Sequence, residues 1–146
     1  MTMTPGNAIE HAPWPQWLTD ELARAVRNGC VGNELVSEDE RVRVWTIRLK
    51  PGERYGFHKH VLDYFWTCIT GGRARSHHQD GSTYERDYVP GETQHERYAA
   101  GASKIHDLEN TGTADLIFTT VEFLDSANPP LPVPNAARFE ERRKAA

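Results

Sequence analysis

Three of the seven histidines in this 146-residue chain are spaced as metal ligands would be. His58 and His60 are separated by a single residue, Lys59. On a strand, residues two apart project to the same side, so both imidazoles can reach one ion. Further along, His106 opens the run His106-Asp107-Leu108-Glu109-Asn110-Thr111-Gly112, which reads as a strand ending in an Asn-centred turn. An antiparallel barrel can bring that strand beside the first pair. Three imidazoles then hold one divalent ion and leave coordination positions open, as a catalytic site needs and a closed structural site does not. Imidazole does not select the metal, so Fe(II), Zn, Ni and Mn all stay open.

A fourth ligand can come from His95, Asp63 or water. If Ala100-Gly101 is a two-residue hairpin, His95 lies directly opposite His106 and shares its face. If the loop also takes in Ala99, the register slips by one and His95 faces outward. Asp63 needs a bulge to point inward. Tyr55 and Tyr64 are the tyrosines nearest the histidine pair and can hydrogen-bond a substrate; Tyr64 or His95 can move a proton. His77-His78 is not a ligand pair, because neighbours on a strand face opposite ways. No phosphate-cradling Gly-rich loop and no Gly-x-Ser-x-Gly elbow occurs, and neither cysteine has a neighbouring histidine to activate it.

The elements that must position these residues are short and β-rich. Runs at 41–50, 54–60, 63–70, 73–79, 83–89, 93–98, 103–109 and 115–124 alternate with turn residues such as Pro51-Gly52, Gly71-Gly72, Asp80-Gly81 and Pro90-Gly91. Short strands at this spacing, with no helical run between them, predict an antiparallel sandwich or barrel. Asp80-Gly81 is the strongest hairpin signal. In the first run Val42 and Val44 share one face and Trp45, Ile47 and Leu49 the other. That strand is therefore bulged or covered on both sides, by a helix or by a second copy of the chain.

Ahead of the strands, Thr19-Asp20-Glu21 reads as a helix start, Leu18, Leu22, Ala25 and Val26 as its apolar stripe, and Gly29 as its C-terminal stop. The expected organisation is an irregular arm over 1–13, one domain over 14–134 and a charged tail over 135–146. The proline-rich segment from Asn128 to Pro134 must be extended and cannot join a sheet centrally. Trp45, Trp66, Phe118 and Phe123 are expected in the core.

Composition narrows the function classes. A net charge of −4 offers no concentrated basic face for a nucleic acid. No segment is long and apolar enough for a membrane span, and Cys30 and Cys68 alone make no disulfide framework. A cytoplasmic protein with a small-molecule partner is the expectation.

The stretch from Gly52 through His58-x-His60 to Gly71 or Gly72, with His106-x3-Asn110, resembles the two motifs of the cupin superfamily. It looks closest to small single-domain bacterial cupins, some of them called β-alanine degradation proteins. The resemblance implies an all-β jelly-roll barrel (double-stranded β-helix) with a short N-terminal helix. It also implies a metal held by His58, His60 and His106, and frequent homodimers. Its activity would be that of an oxygenase or a non-redox lyase or isomerase acting on a small organic acid or thiol. The alternative is a barrel that binds metal and ligand without turnover. The motif's glutamate ligand should fall at 64 or 65, where this chain has Tyr64 and Phe65, and Gly101 stands further from His106 than the second motif has it.

Overall fold

Alternation along the strands builds the molecule. In β10 (Leu116–Phe123) the even-numbered Leu116, Phe118, Thr120 and Glu122 are buried and their neighbours are not. In β3 (Val42–Leu49) the odd-numbered Arg43, Trp45, Ile47 and Leu49 are buried. Each strand therefore turns one face to an interior and the other outward. The computed structural model describes residues 7–139, so the expectations for 1–6 and 140–146 lie outside the described residues.

The remaining elements, in chain order, are β1 (Asn7–Ala8), α1 (Gln16–Arg24), β2 (Glu34–Glu38), β4 (Arg54–His60), β5 (Tyr64–Cys68), β6 (Gly72–His77), β7 (Thr83–Tyr88), β8 (Thr93–Glu96) and β9 (Lys104–Asn110). They form two five-stranded sheets, ordered β1-β7-β6-β9-β4 and β2-β3-β10-β5-β8, with every strand pair antiparallel. The sheets face each other across a core of Ile47, Leu49, Cys68, Leu108, Leu116 and Phe118. All eight expected runs are strands. β2 and the edge pair β1 were missed, and β1 replaces part of the expected irregular arm by pairing Ala8 with Tyr84. The Asp80-Gly81 turn joins β6 to β7, with Gly81 at φ +88°, where a Cβ would be strained.

The helix begins at Gln16, ahead of the expected Thr19, with Pro15 at its N-cap. It ends in a 3₁₀ turn over Ala25–Arg27 rather than at Gly29. Gly29 is instead small because a Cβ there would sit 2.6 Å from the Leu131 Cβ. Leu18 and Ala25 pack with Phe57 and Ile105 on the outer face of the β4/β9 pair. The helix thus covers the first sheet and leaves β3 alone: Val42 and Val44 face outward, half-buried, with β3 unbulged against β10. Phe123, expected in the core, is 37% exposed. The proline-rich segment runs over the protein's own surface, where the Leu131 carbonyl accepts from the Arg43 guanidinium. Among the described residues no helix is long and apolar enough to cross a membrane.

Candidate metal centre

The site is built where β4 lies beside β9. Tyr55 pairs with Leu108, and His58 pairs directly with His106, so β4 carries one residue more than β9 between these pairs. That β-bulge resets the alternation. Tyr55 and His58, an odd number of residues apart, both face inward, while Phe57 turns out to the helix. Gly56 lies inside the bulge, where a Cβ would stand 3.0 Å from the Glu21 Oε2 of the helix. Strand alternation then puts His60 inward as well.

The three imidazoles converge. One ring nitrogen from each of His58, His60 and His106 lies within 4.8 Å of the others. The Nε2 atoms of His60 and His106 are 3.1 Å apart. Two nitrogens each about 2.0–2.1 Å from one ion would be separated by roughly this much, so the trio fits a metal ion. His58 Nδ1 donates to the Gly56 carbonyl at 2.9 Å, which leaves its Nε2 lone pair free. The His60 ring is stacked on Tyr64, with centroids 4.1 Å apart. Burial holds His58 neutral, pushing it down to about 4, and pushes His60 and His106 well below the usual histidine range. Neutral imidazole is the metal-binding form.

The trio lines a cavity of about 60 Å³ between the sheets, walled by Ile47, Trp66, Leu108 and Phe118. A second chamber of about 120 Å³ shares Trp66, Tyr88, His106 and Leu108 with it. Its wall also carries His78, Arg86, Glu96 and Lys104.

Other expected residues fall elsewhere. The hairpin that would set His95 opposite His106 does not form, because β8 pairs with β5 in the other sheet. His95 is exposed on the outer face, its ring 5.3 Å from that of Phe65. Asp63 is also outside the trio; its Oδ1 accepts from the Tyr98 N–H at 2.9 Å. The Tyr55 hydroxyl is committed to the Cys30 and Gly32 carbonyls, at 2.8 and 2.7 Å. Tyr64 does face the cavity, and burial raises its phenol well above the usual tyrosine range.

Sequence reading missed two groups. The first is Asp107, fully buried on the opposite face of β9 from His106. It accepts from Arg54 Nε at 2.6 Å, the His77 N–H at 2.5 Å and His77 Nδ1 at 2.8 Å. Arg54 in turn forks onto Glu21 of the helix, tying α1 to the back of the site. The second is Glu122, buried opposite Tyr64, which accepts from Trp45 Nε1 at 2.7 Å. Burial pushes its carboxyl up to about 7 against the Trp45 hydrogen bond and the nearby Arg43 charge. Both residues share the even- or odd-numbered alternation of their strands, which was the available signal.

No protein-family model matches the chain, and no curated protein matches it. Solved structures do. A cupin domain from Bordetella pertussis Tohama I aligns with a TM-score of 0.52 and 24% identity, over 60% of this chain and 85% of that one. The chain has the cupin fold. A double-stranded β-helix protein of Klebsiella pneumoniae aligns over 68% of this chain and 79% of its own, at 23% identity and a TM-score of 0.48. A DMSP lyase from Ruegeria pomeroyi aligns over 70% of this chain at 16% identity and a TM-score of 0.46, and the match covers 50% of the lyase's length. These likenesses concern the fold alone.

Proposed function

We propose that this cupin is a metal-dependent enzyme acting on a small organic acid or thiol, with His58, His60 and His106 holding one divalent ion. The observation that carries the reading is the convergence of three neutral imidazoles, two fully buried and His106 partly so, on one point inside the barrel. When bound, the ion would supply Lewis-acid polarisation or, with Fe(II), a seat for a chelating substrate and O₂ together.

The chain's own residues do the rest. The Gly56 carbonyl fixes the His58 tautomer, and the Tyr64 ring holds the plane of His60. Ile47, Leu108 and Phe118 keep the chamber apolar, which strengthens every charge interaction inside it. Tyr64 keeps its proton on Oη at neutral pH, so it donates to a substrate oxygen as negative charge develops there. His95, on the outer face, has no such reach.

Elemental analysis of protein purified without a histidine tag tests the metal. One equivalent is expected, and His58→Ala should lose most of it. Loading with Fe(II) without oxygen, then admitting O₂ with candidate acids and thiols, separates oxygenase from lyase chemistry. Ligand binding without product would make this cupin a binding module.

Homodimerisation belongs to the same reading. Val44, Val121, Phe65 and Phe123 lie together on the outer face of the second sheet, with the two phenylalanine rings 6.1 Å apart. A face of this kind pairs with its own copy across a two-fold axis. Light scattering should give twice the monomer mass; a monomer at micromolar concentration sinks the idea.

A further inference from the structure

The second chamber points to what enters the site, on the footing of the metal reading above. Lys104 lies on the same face of β9 as His106 and Leu108, and its Cα is paired with that of His60. Its Nζ stands 5.6 Å from the centre of the Tyr64 ring, which is stacked on His60. An ammonium has three donors to satisfy. Among the described residues its ion-pair partner is Glu96, at 3.8 Å, beyond hydrogen-bond reach. Glu96 itself takes a close hydrogen bond from Gln94 Nε2, at 2.5 Å.

The other cation of the chamber, Arg86, is already committed. Its guanidinium pairs with Glu92, reaches Gln94 Oε1 and lies over the Trp66 and Tyr88 rings. Lys104 is thus the cation with donors to spare, and it faces a chamber that reaches the His106 ring.

Charge balance points the same way. Three neutral imidazoles do not offset a divalent ion, and Tyr64 stands where the motif has a carboxylate. Lys104 adds a further positive charge, which Glu96 faces only from 3.8 Å. The incoming molecule has to bring the negative charge.

We propose that Lys104 seats the carboxylate of the substrate. The substrate class is a short acid with an oxygen donor at each end, one meeting the Lys104 ammonium and the other facing the three imidazoles. A thiol without a carboxylate lacks the group this seat takes.

Calorimetry on the metal-loaded protein, with metal content measured before and after, tests the seat. The probes are malonate and malonamate, which differ by one carboxylate replaced with an amide. Wild type should bind malonate about tenfold more tightly, the scale of one charge-assisted hydrogen bond. Lys104→Met should keep its metal and lose that preference, and Lys104→Arg should retain it. A preference unchanged in Lys104→Met, or no malonate preference in wild type, overturns the seat and leaves the metal centre standing. If Lys104→Met does not fold, the wild-type preference and its survival in Lys104→Arg decide. A wild-type protein that takes up no metal brings down the function proposed above, and the seat with it.

Discussion

Acidification should weaken the metal-free protein, and the share due to His58 can be worked out and measured. In the fold its imidazole is pushed down to about 4 from the ordinary 6.5, chiefly by burial. Above pH 6.5 neither state of the protein carries the proton, so the histidine adds no pH dependence there. Below it the unfolded chain takes the proton and the folded chain does not, so stability falls with pH until the folded value is reached. Between about pH 7.5 and about pH 5.5 this single group costs about 1.4 kcal/mol, a tenfold change in the unfolding constant. His60, His78 and His106 are displaced in the same direction. Glu122 opposes them: its raised carboxyl keeps a proton that the unfolded chain has released, so its contribution improves as pH falls from about 7 toward 4.5. Urea unfolding of chelator-treated wild type and His58→Gln at both pH values compares proteins that differ in this group and in its influence on His60 and His106. The variant should lose about 1.4 kcal/mol less on acidification, a midpoint difference of about 0.5–1 M. Parallel pH profiles for the two proteins would show that His58 titrates normally in the fold, and would refute its assignment as a buried neutral ligand.

Arg54→Met strips the fully buried Asp107 of one charged partner while His77 remains, and should cost about 3 kcal/mol in chemical denaturation. Tyr55→Phe should lose about 1–2 kcal/mol and leave metal content unchanged, since its hydroxyl serves two backbone carbonyls and not the cavity. Trp45→Phe removes the donor that lowers Glu122, so that carboxyl should titrate above about 7 when followed by infrared difference spectroscopy.

The sequence by itself determined the all-β architecture and the inward pair of histidines. Period-two alternation and turn residues are local signals, and all eight runs they marked became strands. The same signals sufficed for the Asp80-Gly81 hairpin. The helix was recognised but displaced, because Pro15 supplied the start that Thr19 was expected to give. Only the tertiary structure decided which strands are neighbours. That choice set His58 opposite His106 and sent β8 to the other sheet, carrying His95 to the outside. It also decided the bulge at Gly56, without which Tyr55 and His58 could not share a face, and the burial of Asp107 beneath the helix. The physical reason is range. Alternation is fixed by the geometry of each residue and the next, whereas strand partnership depends on the free energy of burying faces that lie far apart along the chain.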